Sequence, residues 1–213
     1  MKGKIEEWYD KHYCHGFDAP SYDRVKKLIN LFAKHKADRL LDIGCGEGSL
    51  TLLLKESVRA KEVFGVEIAS EGVMAAKSKG INCQRLNVDE EGLPFQEEYF
   101  DAIFCGELIE HLFDPDHLLR EVYRVLKPEG FFIIATPNLG AWYNRIALLI
   151  GYQPYAVTAG LEHHNAGKLW ISAPAGTEHI RFFTIRALKE LLQYHGFKIK
   201  HMEHRTSNLG PRT

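Results

Sequence analysis

The sequence lacks an apolar run long enough to cross a bilayer. Its longest one near a helix, IALLIG from Ile146, is far shorter than the roughly 20 residues that a membrane helix needs. Residues 1–11 are charged and aromatic, without the apolar centre of a secretory signal. We therefore expect no transmembrane segment and a cytoplasmic location.

Cysteine is scarce, and charge of either sign is not in surplus. The four cysteines stand singly at Cys14, Cys45, Cys83 and Cys105, without a CxxC spacing. This pattern argues against a disulfide framework or a zinc ribbon and favours a reducing compartment. A net charge of −1 also lacks the basic excess of nucleic-acid-binding proteins, so nucleic acid is not an expected partner.

What the sequence does contain is a series of strand-like apolar runs that alternate with helical patterns. The runs are RLLDIG, EVFGVEI, NCQRLNV, FDAIFCGE, GFFIIATP and, near the end, FKIKHMEH at 197–204. Alternation of this kind predicts an α/β fold with a doubly wound, mostly parallel sheet. Ligands of such sheets bind beyond the C-terminal ends of the strands.

The length predicts one domain over residues 1–213, enough to bury a full α/β core. Within it we expect a helical cap at 1–37 and a substrate lid at 139–178. The second segment is too long and too aromatic for a plain connection. Its run AWYNRIALLIGY is equally compatible with a helix on the core or at the seam of a homodimer.

A glycine-rich turn follows the first strand. In LLDIGCGEGSL (40–50), glycines 44, 46 and 48 let the backbone turn sharply and approach a ligand closely. Glu67 ends the next strand, about 20 residues on, where an acid can accept hydrogen bonds from both ribose hydroxyls. Asp89, after the third strand, is placed to accept from an adenine amino group.

Together these motifs resemble the class I S-adenosylmethionine-dependent methyltransferases. The resemblance covers residues 38–138 and recurs at 179–203. It implies S-adenosylmethionine as cofactor and a Rossmann-like, seven-stranded type of sheet. The usual last antiparallel strand is either missing or beyond the given chain, because the final RTSNLGPRT is short and polar. The cofactor-binding residues that we predict are Asp42, Gly44, Cys45, Gly46, Gly48, Glu67, Ile68, Val88, Asp89, Glu90 and Gly106.

The stretch ELIEH (107–111) lies at the end of a strand, on the expected functional edge. On a helical turn Glu107 would face both Glu110 and His111, so carboxylate and imidazole groups would converge. One interpretation is a divalent cation held by these groups. A second is a metal-free pair in which Glu110 orients His111 as the catalytic base. A third is a structural role at a helix N-terminus.

A second resemblance bears on this choice. ELIEH, ATPN at 135–138 and His179 ahead of FFTIR resemble two metal-using branches of the superfamily: ubiquinone-biosynthesis O-methyltransferases and enzymes that methylate the terminal ribose 2′-hydroxyl of small RNAs. The resemblance implies a divalent cation (magnesium, manganese or zinc) on Glu107, Glu110, His111 and His179.

The function that we predict is O-methylation of a small-molecule hydroxyl, catechol-like or polyol, with His111 and Glu110 as catalytic residues. Two alternatives stay open. One is a metal-dependent RNA ribose 2′-O-methyltransferase, and the other is a non-catalytic cofactor-binding subunit.

Overall fold

A parallel sheet forms the centre of the molecule. The structure is a computed structural model that describes residues 22–155, 157–160, 163, 165–169 and 179–203. In these residues the strands run in the order β3-β2-β1-β4-β5, all parallel. The order reverses between β1 and β4, which makes that gap the switch point of the sheet. The strands are β1 (Arg39–Ile43), β2 (Glu62–Glu67), β3 (Asn82–Arg85), β4 (Phe100–Gly106) and β5 (Leu126–Ala135).

Helices connect the strands and cover both faces of the sheet. Their bounds are α1 (Tyr22–Phe32), α2 (Ser49–Val58), α3 (Ser70–Ser78), α4 (Pro115–Val125), α5 (Trp142–Leu149) and α6 (Ile185–Tyr194). Asp114 caps α4 by accepting a hydrogen bond from the His117 amide, and Pro115 suits the first helical turn. Among the described residues, no helix has both the length and the apolarity needed to span a bilayer.

The core lies in two layers, one on each face of the sheet. Because successive strand side chains point to opposite faces, Leu40 packs with residues of α1, α2 and α3, whereas Leu41 packs with those of α4 and α6. Both leucines are fully buried. The near-continuous apolar runs of the central strands follow from this double coverage. The structure confirms the doubly wound α/β fold.

The expected strand at 197–204 is wrong for residues 197–203, which form no strand. Phe197 packs edge-on against Tyr123 at 5.5 Å between ring centroids, and it lies 5.5 Å from Phe132. Ile199 joins the same core cluster. The alternation of apolar residues is therefore satisfied by packing alone, without a ladder of hydrogen bonds. Residue 204 and RTSNLGPRT lie outside the described residues.

Helix α1 packs on the sheet through its C-terminal half. Phe32 is fully buried and makes edge-to-face contacts with Phe104 of β4 and Phe131 of β5, at 6.0 and 5.6 Å between centroids. Leu28, one turn earlier, is 6% exposed. The described part of the predicted cap at 1–37 is thus integral to the fold, while residues 1–21 lie outside the description.

This packing predicts that Phe32→Ala lowers the free energy of unfolding by about 3–5 kcal/mol, the range for removing a buried aromatic side chain. Urea denaturation measures it. Met74→Ala, at a side chain that is 63% exposed on α3, is the control and changes stability by less than about 0.5 kcal/mol. Equal midpoints for the two variants would contradict the docking of α1.

Candidate active site

The predicted site residues gather at one edge of the sheet, where the strands have their C-terminal ends. The glycine turn follows β1 and residues 107–111 follow β4, and these two strands are hydrogen-bonded neighbours. A Cβ atom on Gly44 would stand 3.3 Å from Leu108 Cδ2. The two loops therefore touch at the switch point.

The glycine turn has a backbone that side chains disfavour. Glycines 44, 46 and 48 have φ angles of 76°, 55° and 84°, all in the left-handed region. Gly44 and Cys45 both donate their amides to the Val66 carbonyl, at 2.8 and 3.2 Å. This ties the turn to β2 and fixes its course.

Glu67 joins the glycine turn to the start of α3. Its carboxylate accepts hydrogen bonds from the Gly46 and Ala69 amides, each at 2.9 Å, and the residue is 4% exposed. A carboxylate offers about four acceptor positions, and ribose hydroxyls are donors that an acid at this place in the fold can bind. Beside it, the Ile68 carbonyl accepts from the Arg85 guanidinium at 2.8 Å.

Asp42 lies beneath the turn and is 2% exposed. Its carboxylate accepts a hydrogen bond of 2.6 Å from the Thr51 hydroxyl. Burial, and to a lesser extent the charge of Glu67, raises the pKa of Asp42 from 3.8 to about 7, although the Thr51 bond acts in the opposite direction. Sequence reasoning did not identify Thr51 as the partner.

The Asp89 carboxylate holds the segment after β3 in place. Asp89 accepts hydrogen bonds from the Phe113 and Asp114 amides at 2.9 and 2.8 Å, which ties this loop to the start of α4. Val88 is 8% exposed and packs in the core, whereas Glu90 is exposed. Asp89 thus positions the edge of the site whatever else it binds.

Two cysteines that are far apart in the sequence meet below the glycine turn. Cys45 and Cys83 are buried and free, with 3.5 Å between their sulfur atoms. A Cβ atom on Gly65 would lie 2.6 Å from Cys45 Sγ, so this strand position admits only glycine without rearrangement. Because the cysteines stand singly in the sequence, their positions do not indicate this contact.

The stretch ELIEH forms a short 3₁₀ turn at Ile109–His111 instead of an α-helical turn. Glu110 is 1% exposed, and its Oε2 accepts a hydrogen bond of 2.8 Å from the Thr136 hydroxyl. Its other oxygen, Oε1, is buried without a hydrogen-bond donor among the described residues. His179 Nε2 lies 3.9 Å from that oxygen.

Three of the four predicted metal ligands converge here. One donor atom from each of Glu110, His111 and His179 lies within 4.8 Å of the others. The two imidazole rings meet edge-on, with 4.8 Å between their centroids. Burial and the nearby charge of Glu107 raise the pKa of Glu110 from 4.5 to about 8. Converging oxygen and nitrogen donors of this kind, with Glu110 buried and both histidines half-buried, suit a divalent cation.

The fourth predicted ligand, Glu107, is not in that group. It precedes the 3₁₀ turn with a φ of 53°, and its Oε1 accepts an ion-pair contact of 3.1 Å from Arg24 of α1. Gly106 before it is confined, since a Cβ there would meet the Phe104 ring at 2.6 Å. Sequence reasoning missed Arg24, because nothing in its local pattern indicates a partner 83 positions away.

The start of the predicted lid is ordered by a buried asparagine. Asn144 of α5 is 2% exposed; its side chain donates to the Asn138 carbonyl at 3.1 Å and accepts from the Tyr155 amide at 2.8 Å. A helix, one of the two interpretations of AWYNRIALLIGY, is present as α5. His163 is exposed, and His164 lies outside the described residues.

The chain matches a family model described as a methyltransferase domain over residues 17–202. A demethylmenaquinone methyltransferase of Thermus thermophilus is 32% identical over 54% of this chain and 60% of its own length. A ubiquinone biosynthesis O-methyltransferase of Xylella fastidiosa is 29% identical over 62% of this chain and 54% of its own.

A third relative bears a different name, the mitochondrial arginine-hydroxylase NDUFAF5 of Danio rerio, which is 29% identical over 62% of this chain and 42% of its own length. The chain thus spans only about two to three fifths of these relatives. A solved structure of a SAM-dependent methyltransferase from Archaeoglobus fulgidus has a TM-score of 0.59 at 23% identity, covering 93% of this chain and 75% of its own. That likeness supports the fold.

The raised pKa of Asp42 predicts how stability depends on pH. Because the folded state holds its proton up to about pH 7 and the unfolded state releases it near pH 4, stability falls as pH rises through this window. Asp42→Asn keeps an acceptor for Thr51 and removes the titration. We expect it to gain on the wild type between pH 5 and pH 8, by about 1–4 kcal/mol in free energy of unfolding.

Urea denaturation at both pH values checks this expectation. Asp38→Asn is the matched control, because that carboxylate pairs with Lys61 at the surface and its loss costs less than about 1 kcal/mol. A constant difference between Asp42→Asn and wild type at the two pH values would contradict a buried, titrating Asp42.

Proposed function

We propose that this chain, which belongs to the class I S-adenosylmethionine-dependent methyltransferases, methylates a hydroxyl oxygen of a small molecule. The acceptor in this proposal is catechol-like or a polyol. The observation that carries this proposal is the buried Glu110 Oε1, which lacks a donor among the described residues and lies 3.9 Å from His179 Nε2, in a carboxyl group that converges with His111 and His179. A buried polar atom left in this state is costly unless a ligand satisfies it.

The cofactor would lie against the glycine turn. There glycines 44, 46 and 48 leave the backbone open to close approach, and Glu67 is held in place to accept from the ribose. Asp89 and its bonds to the start of α4 define the adenine side. All residues of the predicted cofactor set, these included, stay predictions.

Glu110, His111 and His179 fit a divalent cation, because they offer one carboxylate oxygen and two imidazole nitrogens within 4.8 Å. Such a cation would lower the pKa of an acceptor hydroxyl bound to it. The two imidazoles favour zinc, and the carboxylate also admits manganese or magnesium. Glu107 is the candidate for a fourth ligand.

The chain's own side chains supply the alignment that sulfonium methyl transfer requires. Thr136 fixes Glu110 by its hydrogen bond. Leu108 lies next to Gly44 and so separates the glycine turn from the cluster of Glu110, His111 and His179. Glu110 is buried, and Thr136, Leu108 and Gly44 are half-buried, which limits the access of water that would compete for the methyl group. In this arrangement His111 is a cation ligand, and it is the proton acceptor only in the metal-free alternative.

A metal-free pair is the second candidate mechanism, with Glu110 as orienter of His111. The pKa of Glu110 bears on this choice, because a value of about 8 leaves the group protonated at pH 7 when no cation is bound. A neutral carboxyl stabilises an imidazolium less than a carboxylate does. The convergence of His179 with Glu110 and His111, together with this raised pKa, therefore favours the cation.

The relatives' names agree with an oxygen acceptor but do not fix it. One is named an O-methyltransferase of ubiquinone biosynthesis, and another match is named malonyl-[acyl-carrier protein] O-methyltransferase. The name arginine-hydroxylase shows that related chains bear other activities. The RNA ribose alternative is less favoured, because a net charge of −1 gives little attraction for phosphates.

The lid at 139–178, the cap at 1–37, a homodimer and a cytoplasmic location stay predictions. Helix α5 supports the lid, since it follows β5 at the C-terminal edge of the sheet and carries Trp142 and Tyr143 in edge-on contact. Aromatic side chains of this kind commonly line small-molecule pockets.

Cofactor binding is the first test. Isothermal calorimetry should detect S-adenosylhomocysteine binding that Gly44→Val abolishes, since a branched side chain would require a left-handed φ and meet Leu108. Gly160→Val is the control, because a Cβ there meets nothing within 4 Å. Binding of NADH with no heat from S-adenosylhomocysteine would refute the cofactor assignment.

Chelation is the second test, with a catechol acceptor and methyl-labelled cofactor. We expect excess chelator and His179→Ala each to lower methyl transfer at least 100-fold, while the affinity for S-adenosylhomocysteine changes by less than about twofold. Added manganese should restore the chelated wild type. Full activity after thorough chelation would eliminate the cation and leave His111 as the base.

A further inference from the structure

The ion pair between Arg24 and Glu107 joins the N-terminal helix to the edge of the candidate cation site. Arg24 Nη2 lies 3.1 Å from Glu107 Oε1, and both side chains are roughly one third exposed or less, at 27% and 36%. Glu107 is three residues from Glu110, whose buried oxygen faces His179. The pair thus stands beside three converging donors without belonging to them.

The backbone fixes where the Glu107 carboxylate begins. Its φ of 53° is in a region that side chains rarely adopt, and its amide donates to the Ala135 carbonyl at 2.8 Å. Strain of this kind at a non-glycine residue is common at functional sites. The carboxylate therefore can change its partner by rotating its side chain, while the main chain stays in place.

Helix packing fixes where Arg24 comes from. Arg24, Leu28 and Phe32 follow one another at four-residue spacing and so lie on one face of α1. Leu28 and Phe32 on that face are buried against the sheet. Arg24 is therefore delivered to the strand end by a docked helix.

We propose that Arg24 is the cation that occupies Glu107 until a divalent cation recruits this carboxylate to Glu110, His111 and His179, and that Arg24 thereby sets the cation affinity of the site. The inference rests on the proposed cation site. A guanidinium and a divalent cation repel each other and compete for the same carboxylate oxygens. Cation binding then requires the Arg24 contact to open.

Manganese binding to the full chain saturated with S-adenosylhomocysteine tests this, because electron paramagnetic resonance measures the free ion directly without turnover. Arg24→Gln should bind manganese about threefold to fivefold more tightly than wild type, the scale set by losing a partly exposed ion pair. Arg24→Lys keeps the positive charge and should stay close to wild type.

Two controls make the result specific to the pair. Arg186→Gln removes the same charge from an exposed pair with Glu190 on α6 and should not change manganese affinity. In a Glu107→Gln background, Arg24→Gln should have a smaller effect, because competition for that carboxylate is gone and only direct repulsion remains. Equal or weaker manganese binding by Arg24→Gln overturns this inference alone. Absence of manganese binding in every variant overturns both it and the proposed cation site.

Discussion

Burial of carboxylates at the C-terminal edge of the sheet is the constraint on which the site depends. Asp42, Glu67 and Glu110 are only 2%, 4% and 1% exposed, although burying a carboxylate away from water costs free energy. Each therefore binds donors from another segment: a hydroxyl of α2 for Asp42, two loop amides for Glu67, and the Thr136 hydroxyl for Glu110. The loops take the shapes that these bonds require, and the shapes form the site.

The fold was predictable because two periodicities and several turn signals agree. Apolar runs such as RLLDIG and FDAIFCGE become central strands, and Gly80 and Gly196 end helices with φ angles of 82° and 89°. The segment 197–203 is an exception, because its alternating apolar residues predict a strand that does not form. Alternating apolar residues require only that one side be buried, and Phe197 meets that need against Tyr123 without a strand partner among the described residues.

The site was predictable where function is written into local spacing. The glycine turn and ELIEH each place their groups within a few residues, and the ends of parallel strands bring the two together. Contacts across the fold were not predictable. Arg24 reaches Glu107 from α1, and Cys45 meets Cys83 across β2. Neighbouring strands and docked helices bring these residues into contact although they are far apart in the sequence. Thr136 lies inside the ATPN motif, but its hydrogen bond to Glu110 depends on side-chain geometry that the motif does not specify.

Helix α5 reverses the usual arrangement of an amphipathic helix. It buries Asn144 and Ala147 and leaves Trp142 57% and Leu149 85% exposed. A hydrophobicity-based assignment of its inner face would therefore point it the wrong way round. The amide inside does the anchoring, through bonds to backbone on either side. It follows that the aliphatic outer face can be recoded with polar residues to improve solubility at little cost to folding, whereas a conservative change of Asn144 to leucine would detach the helix from its neighbours.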